Sequence, residues 1–262
     1  MPVATRVPSP TALASPAPEP RIVLTTVGAQ GETAGMLHVA GRAQVFEAVV
    51  SLRVTTTDGR IIAQGVTMAA AGAPEWGEFS VDVSYPPPDQ DQAAVLEAFE
   101  ESPRDGSLES LVSAPVVLRA APEVATWTTY ANPKFAFEVR LPHSWYVNQG
   151  TFGPPPPLTT KFSTYRQGDI EVLGPRDAEV WIAASDSPSL AEMEDLEAKG
   201  YGKRRLIISG VPCVRYTDPT PHHGIYDVVY TLLGEREYRI HLSAATHNFD
   251  AMFNLMLATF VQ

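Results

Sequence analysis

One cysteine, Cys213, serves all 262 residues. An internal disulfide and any multi-cysteine metal centre are therefore excluded. It stands in ISGVPCVRYTD between apolar neighbours, where a buried, inert thiol is expected rather than a nucleophile. No apolar run approaches the ~18 uninterrupted residues that a membrane-spanning helix needs. Positive charge is scarce as well: 19 Lys and Arg stand against 30 Asp and Glu, a net charge of −11. Lys203-Arg204-Arg205 is the only basic cluster, too small for a nucleic acid but suited to an anionic surface or partner. Also missing are a G-x-S-x-G elbow, a G-x-G-x-x-G turn and a P-loop, so the common nucleophile and phosphate-cradling motifs are absent.

What is present is strand chemistry. Gly41 to Tyr85 organises the first half: Val45, Val49, Leu52 and Val54 sit among small and polar residues, as in half-buried strands. Thr57-Asp58-Gly59-Arg60 is a turn, because glycine after aspartate readily takes positive φ. Ile61 and Ile62 resume the apolar run, and Phe79, Val81 and Val83 alternate faithfully before Pro86-Pro87-Pro88 stops the strand. Upstream, Arg21 to Val27 and Met36 to Val39 add β character. Downstream, Ala93 to Glu101 reads as a strand in preference to a short helix, and Leu111 to Leu118 as a last edge strand. Seven short strands with interspersed turns predict a two-sheet sandwich over residues 21–121. The Glu100-Glu101 pair is expected on the solvated surface.

Pro, Ala and Ser dominate residues 1–20, a composition that does not pack and reads as a disordered tether. The same composition follows a removed export signal or lipid anchor, or forms a plain tail of an intracellular protein. The tether reading is preferred.

The residues Gly41-Arg42-Ala43, Val45-Phe46-Glu47, the Asp58-Gly59 turn and the Asp105-Gly106 turn resemble the Gmad2-type immunoglobulin-like domain of bacterial spore-germination and sporulation-associated envelope proteins. The resemblance spans roughly residues 20–120 and implies an exported, non-catalytic module. It supplies no functional residues to carry over.

Ala120 to Trp127 reads as a boundary, and residues 127–262 as a second domain. Phe135, Phe137 and Val139 alternate with polar residues in a strand that turns at Leu141-Pro142 into Trp145, an aromatic corner. Strands follow at Lys161–Tyr165 and Glu179–Ala183. Ser189 with Glu192 forms a capping box for a helix carrying Leu190, Met193 and Leu196 on one face, ended by Gly200 or Gly202. Strands at Arg204–Val211, Cys213–Tyr216, Ile225–Leu232 and Glu237–Ser243 precede a last helix with Phe249, Phe253 and Met256 or Leu257 at helical spacing. This is an α+β antiparallel sheet packed with helices. The order Phe135-Ala136-Phe137-Glu138-Val139, Leu141-Pro142, Trp145 and the closing helix resembles the PsbP-like or Mog1-like fold, whose members serve as accessory or assembly subunits, some binding partner proteins or metals.

The candidates for chemistry are few. His222 and His223, flanked by Asp218 and Asp227, are the weak metal candidates, since two imidazoles and two carboxylates suit Zn²⁺ or Ni²⁺ if the loop curls. Adjacent side chains of an extended segment point apart, which favours a solvated loop. His241, on a strand, reads as a sheet-surface or core histidine, His247 as forming local hydrogen bonds before the last helix, and His143 stands in the Pro142–Trp145 corner. Pro154 to Pro157 reads as a stiff loop with a short PxxP pattern. Glu192, Glu194, Asp195 and Glu197 read as one exposed acidic helix face.

The expectation is a non-enzymatic, extracytoplasmic envelope or germination-associated module that needs no cofactor, does not span the membrane, and recognises another envelope protein or a wall polymer through strand edges or loops. The alternative is a small-molecule- or metal-binding module centred on the second domain's sheet and the His222-His223 loop. A remoter alternative is a hydrolase with an unrecognised site.

Overall fold

The alternating stretches of the first half form seven strands: β1 (Ile22–Gly28), β2 (Met36–Ala43), β3 (Val49–Thr56), β4 (Ile61–Met68), β5 (Gly77–Ser84), β6 (Gln92–Glu101) and β7 (Leu108–Leu118). The computed structural model describes residues 20–28, 33–150, 159–186, 190–218, 227–233 and 236–261. The Pro/Ala-rich segment to residue 19, the proline loop 154–157, Ser189 and the His222-His223 pair lie outside the described residues. Strands β1-β2-β5 make one layer and β4-β3-β6-β7 the other. Their alternate residues, among them Leu37, Val39, Leu52, Val54, Phe79, Val81 and Leu96, fill the space between them. The first half is thus a β-sandwich, and residues 93–101 lie in strand β6, which buries Ala94, Leu96 and Ala98. Gly41 interrupts β2 for a reason of space: a Cβ there would overlap the Val23 carbonyl oxygen and crowd the Phe79 ring.

Two expectations fail here. Phe46–Ala48 is a single 3-10 turn rather than strand, with Glu47 and Ala48 at φ 51° and 60°. Glu100 is 5% exposed rather than solvated. The two facts have one cause. The Glu100 carboxylate accepts the Phe46 N–H at 2.6 Å and the Arg21 guanidinium at 2.6 Å, which turns the backbone toward it and satisfies the buried charge.

The second half supplies β8 (Thr128–Asn132), β9 (Phe137–Leu141), β10 (Tyr146–Gly150), β11 (Thr159–Ser163), β12 (Ala178–Ser185), α1 (Leu190–Ala198), β13 (Gly202–Ile208), β14 (Val211–Thr217), β15 (Asp227–Leu233), β16 (Arg236–Ala244) and α2 (Asp250–Ala258). An antiparallel sheet runs β13-β14-β15-β16-β12-β11-β10, and β8 with β9 forms a separate hairpin. Helix α2 and the hairpin cover one face, burying Phe137, Phe162, Ile240, Phe253, Met256 and Phe260 together. Helix α1 lays Met193 and Leu196 on Tyr216, Val228 and Tyr230 of the other face. This is the α+β architecture expected.

The details differ. The aromatic strand begins at Phe137, because Ala136 takes φ 52° and breaks the extension from Phe135. Strands β8 and β10 carry too few alternating apolar residues to announce themselves. The acidic face of α1 is not purely solvated. Glu192 binds Arg239 at 2.6 Å, and Glu197 receives both Lys203 Nζ at 2.6 Å and Tyr216 Oη at 2.7 Å.

The two halves share one sheet. Strand β5 pairs in parallel with β13 at Leu206↔Asp82 and Ile207↔Val83, which joins ten strands into a single layer. Alternation along β13 then divides its side chains: Leu206 and Ile208 enter the second core while Ile207 enters the first. Gly65 of β4 makes room, since a Cβ on it would stand 2.5 Å from Ile207 Cγ2. The boundary segment is packed as well. Ala121 and Val124, in and beside the 3-10 turn Pro122–Thr126, are buried against Leu255 of α2.

His241 lies on the α1 face of β16, opposite Trp181 and Val228 in register, beside the Glu192–Arg239 pair. Burial, partly offset by the Glu192 charge, pushes its imidazole down to about 4. An unfolded histidine titrates near ~6.5, so between these values the unfolded chain binds a proton that the folded chain refuses. Stability is therefore complete above about pH 6.5 and falls as the pH drops toward 4. Urea unfolding at pH 7 and pH 5 should differ by on the order of 2 kcal/mol from this group, and His241→Gln should flatten that portion of the profile. An unchanged slope in the variant would remove His241 as its source.

Candidate functional site

Where the shared sheet crosses from one half to the other, its α2 side gathers charge. The inward positions of β2 and β5 are core, so the intervening polar residues project to the opposite face. There His38 and Asp82 stand directly opposite in register, Nδ1 to Oδ1 at 2.7 Å. Strand β13 brings Arg204 Nη1 to 3.9 Å from Asp82 Oδ2. Arg204 pairs in turn with Arg215 of β14. The Arg215 guanidinium forms an ion pair with Asp227 of β15, donates from Nη1 to Asn254 Oδ1 at 2.7 Å, and lies 5.3 Å above the Phe253 ring. Thr217 donates its hydroxyl to the other Asp227 oxygen.

The first turn of α2 completes the cluster. Asp250 meets His247 Nδ1 at 3.1 Å, and burial, followed by the nearby Asp227 charge, holds its carboxyl above the usual range. These groups surround a cavity of about 250 Å³. Among the described residues, the buried Asp250 Oδ1 and Arg215 Nε have no hydrogen-bond partner. Past His38, Asp82 and Arg204 the cavity continues into an open groove of about 840 Å³, lined also by Arg42, Glu78, Ser80, Lys203 and Arg205.

The chemistry available is that of ordered, opposite charges. His38 has an orienting carboxylate, but no hydroxyl or thiol hydrogen-bonds its ring among the described residues. Cys213 is remote in role: it is buried, and desolvation pushes its thiol up to about 11.

The residues singled out in the sequence are dispersed. Asp227 reaches the cavity, yet it is 1% exposed and engaged by Arg215 and Thr217. Asp218 accepts from Tyr201 Oη at 3.2 Å, and His222 and His223 lie outside the described residues. His247 joins the cluster, His241 sits on the opposite face, and His143 Nδ1 lies 2.7 Å from Thr128 Oγ1 by the hairpin. His38, Asp82, Arg204, Arg215 and Asp250 converge without any local motif to mark them. The one signal is parity: His38 lies between core Leu37 and Val39, and Asp82 between core Val81 and Val83. Among the described residues no group of three or more His, Cys, Asp or Glu is arranged to hold a metal ion, and no helix is long and apolar enough to cross a membrane.

Comparison with known families places one segment. Residues 26–107 match the model of Gmad2, the immunoglobulin-like domain of bacterial spore germination. The matched segment runs from within β1 to the turn before β7, inside the sandwich. No curated protein and no solved structure matches the chain.

Proposed function

We propose that this chain is a non-catalytic recognition module of the bacterial cell envelope, acting outside the cytoplasm in a germination- or sporulation-associated setting, and that the junction of its halves is the surface that recognises the partner. The observation that carries this is the shared sheet, which lets residues of the Gmad2-matched half and of the α+β half line one cleft. The cleft's ionisable groups stand in fixed opposite-charge pairs, His38–Asp82, Arg215–Asp227 and His247–Asp250, which supports an electrostatically ordered recognition surface. In this reading the second half is an accessory domain of the PsbP/Mog1 kind, supported by its hairpin, sheet and closing helix. The partner is an envelope protein or wall polymer carrying negative charge, matched to Arg42, Lys203, Arg204 and Arg205 along the groove.

Co-sedimentation of the purified chain with isolated envelope fractions tests this. Saturable binding is expected, weakened about tenfold or more by combining Arg42→Glu with Arg204→Glu. No sedimentation above that of an inert protein of equal charge would contradict it.

A second reading, a small-molecule site, is favoured by the cavity of about 250 Å³ and its lining of Arg204, Arg215, Asp250 and Asn254. A thermal-shift screen with amino acids, sugars and small dicarboxylates, run alongside Zn²⁺ and Ni²⁺, would favour it by a dose-dependent rise in Tm that Asn254→Leu abolishes.

A further inference from the structure

Strands β4, β3, β6 and β7 lie side by side in that order, and one face of their sheet fills the first core through Val50, Leu52, Val54, Leu96, Ala98 and Val116. The residues between these project away from that core, on the side of the sandwich opposite the cleft. Several are apolar and open to solvent: Val66 is 40% exposed, Met68 52%, Leu111 49% and Val117 50%. Scattered apolar side chains are ordinary on a surface, whereas a sheet face that gathers them marks a contact.

Register orders this face in rows. Gln64, Arg53, Glu97 and Ser113 are successive partners across the four strands, a polar row through the middle. On one side of it stand Val66, Ser51 and Phe99, with Met68 and Leu111 toward the corners. On the other stand Thr55, Val95 and Pro115, with Val117 beyond. Residues 49–56, 61–68, 93–99 and 111–117 include one cation and one anion, Arg53 and Glu97. These two neutralise each other, Arg53 Nε to Glu97 Oε2 at 2.7 Å, and the Arg53 Cζ lies 5.2 Å from the centroid of the Phe99 ring.

We infer that this face seats a second copy of the chain, sheet against sheet, in an isologous dimer. The pattern is its own complement. Arg53 and Glu97 belong to the two central strands, so a two-fold axis running along the strands between β3 and β6 sets Arg53 over the copy's Glu97, and the reverse. The same rotation lays Gln64 over Ser113 and each apolar row over its own counterpart, in the aligned packing that twisted sheets favour. Charge points to the same occupant. Each chain carries −11, so two copies repel in most orientations, and a face whose charges cancel internally is where they meet at least cost. A face four strands wide and eight residues long spans on the order of 500 Å² in projection and more in accessible surface, close to the ~600 Å² per partner at which specific interfaces begin. Pro115 and Ser110, the latter at φ 52°, blunt the outer edge of β7, so the route is face to face rather than edge to edge. The inference goes beyond the recognition reading and does not depend on it. Such a dimer leaves the cleft of each copy uncovered, and two clefts held together would gain avidity for a repeating partner.

Sedimentation equilibrium of the full chain, from about 1 to 300 µM, tests it, and a reversible dimer with a Kd on the order of micromolar is expected. Val66→Lys combined with Leu111→Lys should weaken it about a hundredfold or more, because each places an unpaired charge inside the contact. Arg53→Glu alone and Glu97→Arg alone should each weaken self-association about tenfold or more, since like charges then face each other across the axis. An equimolar mixture of these two variants should associate again, because each meets its opposite in the other. That rescue separates a contact between copies from loss of the internal pair, which both variants share. A chain that stays monomeric throughout overturns the inference. So does a dimer indifferent to Val66→Lys with Leu111→Lys, or a mixture that associates no better than its components. A monomeric chain whose co-sedimentation with envelope fractions falls on Val66→Lys would assign the face to a different protein and overturn the second copy. The wild-type chain decides the matter even if a variant fails to fold.

Discussion

Replacing Arg215 with Ala should destabilise the protein by about 3–5 kcal/mol, the cost typical of leaving one partner of a buried ion pair alone. Asp227 is 1% exposed, and Arg215 supplies its charge partner. The same guanidinium ties β14 to Asn254 of α2 and stacks on Phe253, so packing is lost along with charge. Urea unfolding monitored by circular dichroism measures the loss. Asp227→Asn in the Arg215→Ala background should recover a substantial part of it, because the unpaired buried charge is gone. A single variant within about 1 kcal/mol of wild type would show that Asp227 finds water or another partner, and that the cluster is looser than its geometry implies.

Ile207→Ala should cost about 2–5 kcal/mol, the range for deleting a large buried aliphatic side chain. Ile207 is 1% exposed, grows from a strand of the second half, and packs in the core of the first. The distinguishing feature is where the loss is felt. Trp76 reports on the sandwich and Trp181 on the α+β half, and single-tryptophan variants retaining one or the other should unfold at the same lowered denaturant concentration. Separate midpoints, with only the sandwich affected, would mean the halves unfold independently.

The parts of this fold that were legible in the sequence are those written in local patterns. Val81 and Val83 with Phe79, or Leu190 to Ala198 followed by Gly200, carry their period and their stop signal within a few residues. At Gly200 the φ of 81° and the Tyr201 N–H returning to the Leu196 carbonyl at 3.1 Å end α1 as glycine there predicts. What was not legible depended on distant partners. Glu100 looks like surface until Arg21 and the Phe46 N–H are brought to it, and Phe46–Ala48 looks like strand for the same reason. The candidate site is the extreme case, since His38, Asp82, Arg204, Arg215 and Asp250 come from five separate elements. Lys203-Arg204-Arg205 was visible as a basic cluster suited to an anionic partner. That it lies where the two halves share a sheet, beside the open groove, follows only from the β5–β13 register, which no periodicity encodes.

Amide hydrogen exchange at that register tests the shared sheet most directly. The Ile207 and Ser84 N–H groups are among those, with that of Asp82, that parallel pairing commits across β5 and β13. If the halves form one sheet, both should exchange as slowly as core amides such as Val39 and Ile240, through one opening common to the whole chain. Fast exchange at Ile207 and Ser84, with each core opening on its own, would contradict the shared sheet and with it the cleft on which the functional reading depends.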